Sequence, residues 1–185
     1  MIVLTGKSCS GKDTIAKEME QLGYHRNITY TTRLIRFNEI NDIAYHFISV
    51  EEFLKKYIDG FFLEVRYYET EFGLWFYGSS VESYRNADKN TICILTPSGL
   101  RKLFEKEIDY TGFYIDVSDD EIKNRQINRN DNKKEAERRF NEDKIDFIGI
   151  EDLVDYVIIN ENKETINVAN EIDRLYKMED MNERI

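Results

Sequence analysis

The chain has 185 residues, 41% of them apolar and 34% charged, which suits one compact domain with insertions and excludes a disordered polymer. A formal net charge of −10 disfavours broad nucleic-acid binding and docking on an anionic membrane, but leaves room for a small phosphorylated ligand held by a few arginines. Cys9 and Cys93 make no disulfide framework, and neither a basic leader nor a membrane-length apolar run is present, so a soluble, cytoplasmic protein is expected.

In chain order, Ile2-Val3-Leu4 reads as a buried parallel strand. Gly6-Lys7-Ser8-Cys9-Ser10-Gly11-Lys12-Asp13-Thr14 follows it, and Thr14 to Leu22 has apolar residues at helical spacing. A strand, a glycine-rich turn and a helix are the setting of a phosphate-binding loop. Backbone N–H groups converge on an anion, and Lys12 reaches further phosphate oxygens. Gly6 and Gly11 keep side chains out of the way, and Ser8 and Thr14 bring hydroxyls. Against G-x-x-x-x-G-K-[ST], Asp13 stands where a hydroxyl residue is expected.

Asn27 to Thr31 has β-forming residues and leads into Thr32-Arg33-Leu34-Ile35-Arg36. Two arginines three residues apart, flanked by hydroxyls, can grip a phosphate by forked, charge-assisted bonds, and Tyr45 can add a phenol. An exposed loop would account for the same residues. Tyr45-His46-Phe47, Phe61 to Val65 and Leu74 to Tyr77 read as short strands. With a helix capped at Ser49 they suggest a small antiparallel insertion. Ser80 caps another helix. The parallel pattern resumes at Thr91 to Leu95, then a helix after Ser98, a strand at Phe113 to Val117, a charged helical region over 121–149 broken at Asn130-Asp131-Asn132, a strand at Asp155 to Asn160 and a last helix from Thr165. Alternating strands and helices predict a parallel α/β sheet with ligands at the carboxyl ends of its strands.

Taken together, these segments resemble the guanylate kinase family. Gly6 to Thr14 follows its G-P-S-G-x-G-K-[SG]-T loop, and Tyr30-Thr31-Thr32-Arg33 with Arg36 follows S-x-T-T-R-x-P-R. Asn41 and Tyr45 to Phe53 look like its G-E-x-N-G-x-D-Y-x-F-V-S-x-E-E-F stretch. Phe62-Leu63-Glu64, Tyr77-Gly78-Ser79-Ser80 and Asp155 to Asn160 match F-L-E, Y-Y-G-T-S and D-Y-V-I-V-N.

The resemblance implies an α/β fold with a P-loop parallel-sheet core (1–32, 83–120 and 150–185), a small α+β mononucleotide-binding insertion (33–82) and a helical lid (121–149). It implies small-molecule nucleotide partners, ATP with Mg²⁺, and says nothing of oligomeric state. Gly6, Ser8, Gly11, Lys12, Asp13, Thr14, Arg125 and Asn160 would face ATP. Arg33, Arg36, Tyr45 and Tyr77 would hold the acceptor's phosphate, and Thr29, Glu64 and Ser79 would read guanine. A carboxylate suits that task, because guanine N1–H and its 2-amino group are adjacent donors, whereas adenine would leave a buried Glu64 unsatisfied. Alternation with Leu63 and Val65 equally fits a solvent-facing strand residue. In the lid, Arg129 and Arg139 best match the arginines that close on the transferring phosphoryl group, with Lys12 and Arg33 as the other catalytic cations. Asn160 would contact adenine or serve the strand-end turn.

The chain departs from the family pattern at Asp13, at Cys9 for a glycine, at Ile35 for a proline, and at Ile94 and Thr96 where strand acids usually stand. Asp13 is the candidate metal ligand in place of those acids. The expected function is therefore ATP-dependent phosphorylation of a guanine mononucleotide, GMP or dGMP. The alternative is a kinase of the same fold acting on another deoxynucleoside monophosphate or on a ribose bisphosphate, and a ribose-bisphosphate kinase would not need a base-reading Glu64. A non-catalytic guanylate-kinase-like binding module would have less need of Lys12 and the lid arginines.

Overall fold

A computed structural model describes residues 1–37, 39–70, 73–128, 133–161 and 163–182. In chain order its elements are β1 (Ile2–Thr5), α1 (Lys12–Gln21), β2 (His25–Arg26), β3 (Tyr30–Thr31), β4 (His46–Phe47), α2 (Val50–Ile58), β5 (Phe62–Thr70) and β6 (Gly73–Ser80). Then follow α3 (Val81–Arg85), β7 (Thr91–Ile94), α4 (Pro97–Glu105), β8 (Thr111–Asp116), α5 (Asp119–Asn128), α6 (Lys133–Asp146), a 3-10 turn at Ile150–Leu153, β9 (Tyr156–Ile159) and α7 (Thr165–Asn182). Two compact units emerge, one of Met1–Arg26, Lys89–Arg101 and Asp109–Ile185, the other of Asn27–Asp88 and Lys102–Ile108.

The first unit is built on a five-stranded sheet in the order β2-β7-β1-β8-β9, and every pair in it is parallel. Strand β1 sits in the middle and is buried along its whole length, which its unbroken apolar run requires. Its neighbours β7 and β8 belong to connections running to opposite sides. The loop after β1 therefore lies at a topological switch point, where open α/β sheets place their ligands. Ile15, Ala16 and Met19 of α1 pack with Val168, Ala169 and Ile172 of α7 over Ile2, Leu4, Phe113 and Ile115. A separate cluster of Val117, Ile122 and Phe140 holds α5 and α6, with Cys9 of the loop against it. No helix among the described residues is long and apolar enough to cross a membrane.

The second unit has a four-stranded sheet in the order β4-β3-β6-β5. It is mixed rather than antiparallel as the short strands suggested, because β3 pairs parallel with β4 and antiparallel with β6. The residues between β3 and β4 form a long excursion rather than a hairpin, and that returns the chain in the same direction. Strand β3 also pairs here and not in the larger sheet, whose edge is His25–Arg26, so Asn27 to Thr32 belong with this unit. Ser49 accepts the Glu52 N–H at 3.0 Å and starts α2 as its sequence predicts. Helix α2 places Phe53 against Phe62 (ring centroids 4.4 Å) and Phe76 (5.4 Å) on one face of the sheet.

Phe53 is 1% exposed, and its two stacked partners come from both long strands. Phe53→Ala should therefore cost about 3–5 kcal/mol. Guanidinium titration followed by circular dichroism would measure that loss.

Candidate functional site

The loop between β1 and α1 is shaped by what its atoms can approach. A Cβ at Gly6 would stand 2.6 Å from both the Ile115 carbonyl oxygen and Ser10 Oγ. Gly11 has φ +97°, and a Cβ there would meet Asn160 Nδ2 at 2.6 Å. Cys9, the departure from glycine, nevertheless holds φ +62°, a left-handed conformation costing a non-glycine residue roughly 1–2 kcal/mol. The turn thus places a non-glycine residue in a conformation that favours glycine.

Lys12 folds back over the loop, donating to the Gly6 and Lys7 carbonyls at 2.6 and 2.9 Å and to Ser10 Oγ at 3.3 Å. Thr14 and Asp13 are exposed on the first turn of α1, and the Asp13 carbonyl accepts from Arg26 at 3.0 Å. The Ser8 N–H donates to Asp143 Oδ2 at 2.6 Å. Burial pushes the Asp143 carboxyl above its ordinary range, and the Ser8 N–H and the Lys12 charge offset this only in part. A carboxylate oxygen on a loop N–H is a stand-in anion, so the loop's donors fit a phosphate oxygen. Lys7 donates to Asp119 Oδ1 at 3.1 Å, and Lys144 lies 3.4 Å from Asp119 Oδ2. Burial raises the Asp119 pKa, but the two lysines outweigh it and hold the carboxyl below its ordinary value.

Arg125 and Asn160 brace this loop from outside. Asn160 is buried and its Nδ2 donates to the Ser10 carbonyl at 2.7 Å, a strand-end role rather than a free base-contacting amide. Arg125 donates to the Cys9 and Ser10 carbonyls at 3.2 and 3.3 Å and to the Asn160 carbonyl at 2.7 Å, with Glu121 on its Nε at 2.8 Å. Arg139 is exposed on α6, and its neighbour Arg138 pairs with Glu142 at 2.5 Å. Arg129 and the break at 130–132 lie outside the described residues. On β7, Ile94 has no acidic function to offer, and Thr96 Oγ1 is used by the Gly99 N–H at 3.1 Å to start α4.

In the second unit, one sheet face collects the residues expected to meet the acceptor. Cross-strand partners share a face, and so do alternate residues of one strand. Phe47, Thr31, Tyr77 and Arg66 form one row across the sheet by register, and Glu64 pairs with Ser79 in the next row. Thr29 and Tyr45 lie two residues from Thr31 and Phe47. An irregularity between Phe62 and Glu64 makes this possible. It moves Glu64 off the face of Phe62, which α2 covers, and onto the face of Ser79 and Tyr77. The side chain of Glu64 is 12% exposed, and its Oε2 is buried with no hydrogen-bond partner.

Arg33 is 5% exposed, with its guanidinium over the rings of Tyr45 (5.1 Å) and Phe47 (5.3 Å). Its two terminal nitrogens donate to both oxygens of Glu39, at 2.6 and 2.7 Å. That is the forked grip read from the sequence, applied to a carboxylate. Glu39 also accepts the Arg36 N–H at 2.8 Å, whereas the Arg36 side chain is exposed. The Tyr45 and Tyr77 rings stand 5.9 Å apart. Burial first, then the neighbouring Tyr77, raises the Tyr45 pKa.

Sequence reasoning missed Glu39, Asp143, Asp119 and Arg66. Glu39 follows Arg36 by three residues, and Arg66 follows Glu64 by two within one strand, so a local search would have found both. Asp143 is 135 residues from Ser8 and had no local signal.

Arg33, then the Arg36 N–H, lowers the Glu39 pKa from 4.5 to about 2. The pair therefore stabilises the fold fully above pH 4.5, and that contribution is lost as pH falls toward about 2. The difference in unfolding midpoint between the unaltered chain and Glu39→Gln should be largest near neutrality and vanish in that acid window, as read by denaturation across pH.

The guanylate kinase family model matches residues 1–173. A guanylate kinase of Clostridium perfringens is 31% identical over 172 residues, covering 89% of this chain and 77% of that protein. One from Campylobacter jejuni is 34% identical over 172 residues, covering 87% and 80%. The crystal structure of guanylate kinase from Anaplasma phagocytophilum shares the fold with a TM-score of 0.62 at 24% identity, covering 97% of this chain and 85% of that one. With a family model spanning nearly all of its length, this chain belongs to the guanylate kinase family.

Proposed function

We propose that this protein transfers a phosphoryl group from ATP to a guanine mononucleotide, GMP or dGMP, giving the diphosphate and ADP. One observation carries the choice of acceptor. On a single sheet face, Arg33, Tyr45 and Tyr77 surround a grip already closed on an anion, and Glu64 offers a buried oxygen without a donor. A buried acceptor oxygen left unpaired costs about 1–3 kcal/mol, and guanine's adjacent donors remove that cost. A sugar-phosphate acceptor has no such planar pair of adjacent N–H donors.

Each group has a physical task. Arg33, with Arg36, Tyr45 and Tyr77, holds the acceptor phosphate, and Glu39 yields the guanidinium to it. Thr29, Glu64 and Ser79 orient the base. The loop is the P-loop of this reading: its N–H groups and Lys12 take the ATP phosphates in place of Asp143 and the loop carbonyls, with Gly6, Ser8, Gly11 and Thr14 around them. Arg125 and Asn160 keep the loop's shape, and Arg129 and Arg139 bring positive charge to the equatorial oxygens, where phosphoryl transfer needs it. Among the described residues no three His, Cys, Asp or Glu side chains cluster as a ready-made metal site. Magnesium in such enzymes takes one or two carboxylates plus substrate phosphates, so the exposed Asp13 beside Lys12 fits as its protein ligand. When bound, the ion neutralises charge on the phosphate oxygens. Two thiols and a net charge of −10 suit a reducing, cytoplasmic setting without nucleic-acid or membrane partners.

A coupled ADP-release assay over GMP, dGMP, AMP, UMP and dTMP tests the reading. Turnover with a guanine nucleotide at least tenfold above the others is expected, and no turnover with either would sink it. Asp13→Asn should raise the Mg²⁺ concentration for half-maximal rate severalfold and leave the GMP dissociation constant unchanged by calorimetry. An unchanged Mg²⁺ requirement would remove Asp13 from the metal.

A further inference from the structure

Next to the base-reading carboxylate stands a cation that the proposed function leaves without a task. Arg66 is two residues from Glu64 on β5, on the same face, and in register with Tyr77. Its Nε donates to Glu64 Oε1 at 2.6 Å. The Arg66 side chain is 43% exposed, so this is a rim pair, and such pairs contribute little to stability. Meanwhile Glu64 Oε2, the oxygen that Arg66 does not bond, is the buried one without a donor. The pair is thus satisfied on one side and unsatisfied on the other.

We propose that Arg66 is a specificity-determining residue that reads O6 of the guanine base while Glu64 takes the N1–H and the 2-amino group. This rests on the acceptor assigned above. A guanidinium carries five N–H donors in one plane, and Nε uses only one of them on Oε1. The pair offers acceptor Oε2, acceptor Oε1 and, bonded to Oε1, a guanidinium donor, in that sequence of connection. The edge of guanine presents the 2-amino donor, the N1–H donor and the O6 acceptor in the same order. Oε1 can serve both Nε–H and N1–H, because a carboxylate oxygen has two lone pairs. Adenine reverses the last two positions. Its N1 lone pair would face Oε1, and its 6-amino group would face a guanidinium N–H. Arg66 therefore adds a repulsive element against adenine as well as an attractive one for guanine. Without Arg66, position 6 of the purine would be left to the hydroxyls of Thr29 and Ser79, which can donate to O6 or accept from a 6-amino group alike.

The test compares the unaltered enzyme with Arg66→Met and Arg66→Lys, using GMP and 6-thioguanosine monophosphate. The sulfur analogue keeps N1–H and the 2-amino group but offers a weak acceptor at position 6. The unaltered enzyme should show a KM for the analogue on the order of tenfold above that for GMP. Arg66→Met should raise the GMP KM on the order of tenfold with kcat little changed. It should leave the analogue's KM where it was, so that the ratio falls toward one. Arg66→Lys, which keeps a cation but not the planar fork, should restore part of the ratio. If Arg66→Met weakens GMP and the analogue equally, its role is only to hold Glu64 or the sheet, and the proposal fails. If it changes neither, the proposal fails as well. Both outcomes leave GMP turnover by the unaltered enzyme intact and so spare the proposed function. An unaltered enzyme that neither binds GMP by calorimetry nor phosphorylates it would overturn the functional reading and Arg66's part in it together.

Discussion

A guanidinium or a ring of backbone N–H groups removed from water must find an anion, and this requirement organises both units of the protein. In the second unit Arg33 is almost fully buried, and Glu39 meets it with two oxygens while also taking the Arg36 N–H. In the first, Asp143 meets the Ser8 N–H of the glycine-rich loop, and Lys12 is held by loop carbonyls. Each group is thereby satisfied by an internal partner that a phosphate oxygen can replace, because carboxylate and phosphate present similar acceptors to the same donors. In the proposed reaction, substrate binding would exchange one charge-assisted contact for another, so its net gain would be a difference between two favourable contacts.

The departures from the family pattern become easier to interpret in this frame. Cys9 takes the left-handed conformation that its position demands and accepts the strain, while its side chain packs against Val117, Ile122 and Phe140. The loop shape is then maintained by Arg125 and Asn160, which hold the Cys9 and Ser10 carbonyls from outside. Ile94 and Thr96 offer no carboxylate, and the hydroxyl of Thr96 is spent on the first turn of α4. Asp13 is the acidic residue left beside Lys12 at the start of α1, where the helix dipole also favours a negative charge.

Several features were legible from local chemistry. The unbroken apolar run before Gly6 marked the central strand, and the spacing of Gly6, Gly11 and Lys12 marked an anion-binding turn. Ser49 and Glu52 marked the start of α2. Arg33 with Arg36 promised a forked grip, although only the Arg33 side chain is buried and closed on an anion. These signals survive because each depends on residues within one turn or one strand. The short strands around 30 and 46 misled on direction, since two-residue strands carry no periodicity from which a parallel or antiparallel partner can be inferred.

Composition and motif order were sufficient to establish a parallel α/β protein built around a glycine-rich turn, because burial pattern, glycine spacing and capping are properties of neighbouring residues. The placement of Glu64 was not among them. Strict alternation would have set it on the face of Phe62, under α2, and only the irregularity between these residues turns it to the face of Ser79 and Tyr77. Nor could the chain order reveal that Asp143 meets Ser8, a contact across 135 residues that exists only once α6 has folded beside the loop. Strand register and long-range charge pairing are settled by the packing of whole elements, and no local run of residues contains that information.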